Sequence, residues 1–134
     1  MIEPSLALQT ATRARLLASP QVIEAVDPLD IRDGDTRPEA FPSIVFGNAQ
    51  VEVAGHYNNY RNVTCYLDLH IWGETPERTK DIGAAVSKAL CDTLPVPGFD
   101  LTDGLRTERS IYMTDPSGCG HGVVSLSALM GYHL

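Results

Sequence analysis

The sequence predicts an α+β fold in a single domain: an antiparallel or mixed four-stranded sheet with helices packed on one face, in the order α-α-β-β-α-β-β. Three observations predict it. From 65 to 72 the chain alternates, with Cys65, Leu67, Leu69 and Ile71 on one side and Tyr66, Asp68, His70 and Trp72 on the other, the period of a half-buried strand. From 76 to 90 the period becomes helical: Ile82, Ala85, Val86, Ala89 and Leu90 make one apolar stripe, and Asp81, Lys88 and Asp92 face away. Alternation then returns twice, at 105–115 and at 123–132.

Size and charge bound the rest. A chain of 134 residues builds one core, so 1–134 is taken as one domain. Hydrophobic residues are 43% and charged residues 20%, a globular balance. The net charge of −7 comes with no basic stripe, which argues against sequence-specific nucleic-acid binding. No apolar run approaches the length of a membrane span, and no basic segment leads into an apolar one at the start, so neither a membrane partner nor a signal peptide is expected. Three cysteines, Cys65, Cys91 and Cys119, are an odd number and read as buried free thiols of a cytosolic-type chain.

In chain order, Ser5 to Ala18 reads as a first helix with Leu6, Thr10, Ala14 and Leu17 inward and Ala7 and Ala11 beside them. Ser19-Pro20 restarts the chain as cap and first helical position of a short second helix, whose Val22, Ile23 and Val26 pack under the sheet. Residues 28–42 have no period, an Asp-Gly turn and two further prolines; Ile31 is the apolar anchor of that loop or of a short edge strand. Ser43 to Ala54 is a strand with Ile44, Val45 and Phe46 at its core and a bend or bulge at Gly47. Residues 55–62, GHYNNYRN, form the loop of a long hairpin that returns through 65–72. His56, Tyr57, Tyr60 and Arg61 lie in this loop, as an interface patch or as hairpin decoration. Gly73 ends the return strand; Thr75 is the next N-cap, Pro76 the first helical residue and Glu77 a first-turn carboxylate. Residues 94–104 are a proline- and glycine-rich connection. In the third strand Leu105, Thr107, Arg109, Ile111 and Met113 share one face, and Arg106, Glu108, Ser110, Tyr112 and Thr114 the other. That second face is nearly all polar, either wet or paired with another subunit. In the last strand Val124, Leu126, Ala128, Met130 and Tyr132 face the core.

No catalytic, cofactor or metal site is expected. Asp30, Asp33 and Asp35 lack the spacing and flanking helices of a calcium loop. Cys119, His121 and Asp115 have the residue types for nucleophilic catalysis, but sit in a glycine-rich turn that does not hold them. Cys119, His121 and His133, with His56 or His70 as a fourth, match no closed zinc spacing. The turn SGCGHG lacks the GK[ST] of a phosphate loop and precedes a strand. His70 beside Trp72 reads as semi-buried sheet packing or an oligomer contact, and Asp68 on that face argues against complete burial in a monomer.

The phrases PSLALQTATRARLLASPQVIEAV, FPSIVFGNAQVEVAG, LDLHIWG, KALCDTL and HGVVSLSAL resemble a family of neck proteins from tailed phages and gene transfer agents, the head–tail joining or tail-completion proteins. The resemblance runs from Pro4 to Leu129, and the chain is also similar to the tail terminators of long-tailed phages. It implies a helix-on-sheet fold and a six-fold ring that caps the finished tail tube, docks it to the head connector and lets DNA pass through its lumen. The partners so implied are further copies of the chain, the tail tube protein and a head-closure or connector protein. The place implied is the virion, assembled in the bacterial cytoplasm. The hairpin GHYNNY and the CGHG turn depart from the family pattern. An acidic domain without an active site acts through its surfaces, and cyclic symmetry would consume sheet edges left open in a monomer. The contact surface expected is His56, Tyr57, Tyr60 and Arg61 of the hairpin with Arg106, Glu108 and Tyr112 of the third strand. Rival readings are another neck component (a connector adaptor or head-closure stopper), a small soluble binding module, or an enzyme.

Overall fold

A computed structural model describes residues 2–34 and 37–134. Its elements are α1 (Pro4–Leu17), α2 (Pro20–Ala25), a 3-10 turn (Pro28–Asp30), β1 (Ile31–Asp33), β2 (Ser43–Tyr57), β3 (Tyr60–Gly73), α3 (Pro76–Ala89), β4 (Asp100–Thr114) and β5 (Gly120–His133). The expected four-stranded sheet is corrected: the sheet has five strands in the order β1-β2-β3-β5-β4 and is mixed. The added strand is β1, which pairs in parallel with β2 through Ile31 opposite Ile44 and Asp33 opposite Phe46. Three residues are too few to show a period, and a parallel neighbour leaves no hairpin signal between the two strands.

The odd residues of β3 form the floor of the core. Cys65, Leu67, Leu69 and Ile71 are buried and meet Ile44, Phe46, Val124, Leu126, Ala128 and Met130 on the flanking strands. α3 covers this floor. Thr75 Oγ1 accepts the Arg78 N–H at 3.1 Å and caps the helix, and Ile82, Val86 and Leu90 point inward. α1 lies beside it, capped by Glu3, whose carboxylate accepts from the backbone of Ser5 and Leu6. The inward face of α1 is not the expected one. Leu8, Ala11, Thr12 and Leu16 are buried and Leu6 is 53% exposed. Apolar residues occur all round this helix, so periodicity alone selects no face. In α2, Val22 is buried as expected, but Ile23 is 40% exposed.

Two further departures concern β4. It begins at Asp100, inside the expected connection, because Asp100 and Leu101 pair with Gly131 and Met130. A register shift between Thr107 and Arg109 then changes its phase. Leu105 and Thr107 face the helices, but beyond the shift it is Ser110 and Tyr112 that lie opposite Val124 and Gly122 on the helix side. One extra residue exchanges the two faces of everything after it. Tyr112 thus lies over α3, where a Cβ added at Gly83 would overlap its hydroxyl. The thiols also divide: Cys65 and Cys119 are buried, Cys91 is exposed. Burial pushes the Cys65 thiol up to about 11, with Glu3 adding to it.

Leu90→Ala removes a core side chain that is 2% exposed. It is expected to cost about 2–5 kcal/mol, read as a lower midpoint in chemical denaturation. A thiol reagent added to the folded protein is expected to label Cys91 rapidly and to leave Cys65 unmodified until the chain unfolds.

Candidate functional site

The helices occupy one side of the sheet, and the even residues of β3 present the other. At its end near α3, this helix-free face carries a polar aromatic groove of about 780 Å³, lined by Asp33, Arg37, Gly47, His70, Trp72 and His121 among others. β2 bulges between Phe46 and Ala49, and Gly47 leaves the room that the His70 ring fills. His70 Nδ1 and His121 Nε2 are 2.8 Å apart. One of the two nitrogens donates, so both rings are not fully protonated while that bond lasts. The His121 ring stacks on Trp72 at 3.8 Å between centroids and 6° between planes. The Arg37 guanidinium lies over Phe41 at 5.3 Å and Trp72 at 5.9 Å and reaches Asp115 Oδ2 at 3.5 Å. Val45, Trp72 and Cys119 form a small apolar cluster beneath these groups.

This arrangement does not assemble a nucleophile. Cys119 Sγ accepts from Arg37 at 3.4 Å and lies 3.3 Å from Ser117 Oγ. The His121 Nε2 that would serve as base is turned to His70. Asp115 accepts from the Ser117 N–H and hydroxyl; these bonds, with Arg37, hold its carboxyl below the usual value. The imidazoles considered for zinc are scattered. His133 sits opposite Tyr60 and His56 opposite Arg61, at the far end of the sheet from His121. Among the described residues no group of three or more His, Cys, Asp or Glu side chains is placed to hold a metal, and no helix is long and apolar enough to cross a membrane. Of the three aspartates weighed for calcium, Asp30 closes the 3-10 turn, Asp33 ends β1 and Asp35 lies outside the described residues.

The expected contact residues fall at three places. Tyr57 is 78% exposed at the tip of the β2–β3 hairpin, where Asn58 takes a positive φ of 54°; His56 is exposed beside it. Tyr60 is tied across the sheet instead: its hydroxyl donates to Asp100 Oδ2 at 2.9 Å, joining the tip to the start of β4. Arg61 is half-buried, and its Nε, out of solvent, has no hydrogen-bond partner. On β4, Glu108 Oε1 accepts from Ser127 Oγ at 2.5 Å. Arg106, its side chain 65% exposed, stands 3.8 Å from Glu108 on the helix-free face. Tyr112 is on the opposite face from these two. Val51 and Val53 are 39% and 64% exposed on the outer strand β2. They lie in the strand expected from Ser43 to Ala54, and their alternation with Gln50 and Glu52 was the signal that its second half also carries an apolar face.

What the described residues form is a small helix-on-sheet protein with long, open sheet edges. The family described as "Tail completion protein gp17" matches residues 10–131, and the chain belongs to it. It is a structural virion protein of head–tail joining, not an enzyme. Two solved structures share the fold. A chain from the virion of a native gene transfer agent particle is 19% identical with a TM-score of 0.79, over 92% of this chain and 94% of that one. The gp17 protein of bacteriophage SPP1 is 24% identical with a TM-score of 0.61, over 93% and 89%. Comparison with curated proteins gives no match.

Burial, and then the neighbouring His70, hold His121 below the ordinary imidazole value, against an opposing pull from Asp115. As the pH falls, the unfolded chain takes this proton before the folded one. Stability is therefore complete above the ordinary value and declines as pH drops from it toward the lower folded value. The melting temperature is expected to fall as the pH drops below the ordinary imidazole value of about 6.5. His121→Asn is expected to flatten that slope.

Proposed function

We propose that this protein closes into a ring at the head-proximal end of the tail tube, ends tube growth and joins the tail to the head, with DNA passing through the lumen. The family match across residues 10–131 carries the reading. Its partners are further copies of itself, six in the ring, with the tail tube protein on one side and a head-closure or connector protein on the other. Assembly takes place in the bacterial cytoplasm before the part is built into the particle neck. The net charge of −7 supports a lumen that repels passing DNA instead of holding it. Surfaces support a ring as well. β2 beyond Gly47 and most of β4 are exposed, and a monomer gains little by carrying them. The contact surfaces proposed are the hairpin tip, with His56, Tyr57 and Arg61, and the exposed face of β4, with Arg106 and Glu108. Tyr60 ties the hairpin to the start of β4 through Asp100, and Tyr112 packs over α3.

Deletion of the gene, followed by electron microscopy, tests the reading. The expected result is filled heads without tails beside tubes that are overlong or ragged at one end. Normal joined particles would refute it. Tails of correct length beside leaking heads would move the assignment to the head-closure stopper.

A further inference from the structure

Three rows of side chains run straight across the sheet. Val51, Cys65, Ala128 and Leu105 stand opposite one another in turn on β2, β3, β5 and β4, as do Val53, Val63, Met130 and Leu101. Both rows face the helices. Their inner members are buried: Cys65 at 0%, Ala128 at 1%, Val63 at 1% and Met130 at 0% exposure. At the β4 end Leu105 is still buried and Leu101 half-buried. At the β2 end the rows run into solvent, with Val51 at 39% and Val53 at 64%. On the other face a polar row, Gln50, Tyr66, Ser127 and Arg106, spans the same strands. Glu52, two residues along from Gln50, accepts from its amide at 2.7 Å.

We infer that the open edge of β2 in one copy pairs with the open edge of β4 in the next, continuing these rows from subunit to subunit. The inference rests on the ring reading and adds the surfaces that meet. β1 covers β2 only at Ile44–Phe46, so the edge beyond Gly47 is open. β2, β3, β5 and β4 alternate in direction. A rotation about an axis along the strands therefore sets β4 antiparallel to the next β2, the relation all four already have. Across the junction, Leu105 and Leu101 of one copy meet Val51 and Val53 of the next on the helix side. Arg106 meets Gln50 and, diagonally, Glu52 on the other side, within the reach of cross-strand pairs. Charge therefore complements charge where apolar meets apolar. Register shifts at 46/49 and 53/55 bracket the paired stretch of β2; in β4 the shift at 107/109 closes it and that at 101/105 lies within it. They keep a sticky edge short and selective.

The test uses complementation of the deletion strain, scoring particles with joined tails. Val53→Asp alters a side chain exposed in the free chain. It is expected to leave the melting temperature unchanged and to lower joined particles by about tenfold or more. Arg106→Glu and Glu52→Arg are each expected to do the same, and their combination to restore joining. Gln50→Cys with Arg106→Cys, in a Cys91→Ser background, is expected to give a ladder of disulfide-linked multimers when assembled particles are oxidised. Neither single cysteine is expected to give a ladder. Joined particles at full yield from Val53→Asp, without a ladder from the double cysteine, would overturn the edge pairing and leave the ring reading intact. If the cysteine pair does not assemble, the charge exchange decides: no restoration overturns the pairing. Failure of the ring reading itself would show earlier, as normal tails in the uncomplemented deletion.

Discussion

β3 is hydrogen-bonded along both of its sides, to β2 from Ser43 to Tyr57 and to β5 from Gly120 to His133. A strand so held cannot slip by one residue without turning its whole apolar set to solvent. That constraint fixes where every other part lies. The odd residues of β3 make the floor on which α1 and α3 rest, and the even residues define the face the helices leave bare. β2 and β4 hang from this ladder, β4 bonded on one flank only and β2 on one flank except where β1 pairs with it at Ile44–Phe46.

The parts built on a long, uninterrupted period were legible in the sequence. β3, α3 and β5 appear where alternation or a helical stripe places them, and Thr75 caps the helix it was expected to cap. What escaped was controlled by single residues or by distant partners. β1, offered at Ile31 only as an alternative to a loop and left out of the strand count, is three residues long and gains its identity from Ile44 and its neighbours. The bulge beside Glu108 is one residue, yet it moved Tyr112 to the helix side and Ile111 and Met113 to the bare one. In α1, Leu6, Leu8, Leu16 and Leu17 offered more than one apolar face, and only packing against the sheet chose Leu8 and Leu16. The grouping of Arg37 with Trp72 and His121 brings together three elements far apart in sequence, so spacing carries no sign of it.

The fold persists at low identity. At 19% and 24% identity the two solved relatives still superpose over most of this chain. Alternating and helical apolar positions are enough to maintain such a layer, because many residues of suitable size satisfy them. Surfaces are freer to change, the GHYNNY hairpin and the CGHG turn among them. Tyr60 and His121 show that even these segments are partly bound into the sheet, through Asp100 and through His70 with Trp72.

Trp72 is the only tryptophan in the chain, and it lies flat against an imidazole. An indole in van der Waals contact with a ring that gains charge on protonation loses emission to it, and the Arg37 cation above adds a second perturbing charge. Ultraviolet fluorescence of the unlabelled protein therefore reports one location, the groove on the bare face beside the start of β2. The molecule has a built-in optical probe there, silent about the opposite end of the sheet and free of competing tryptophan signals from the core.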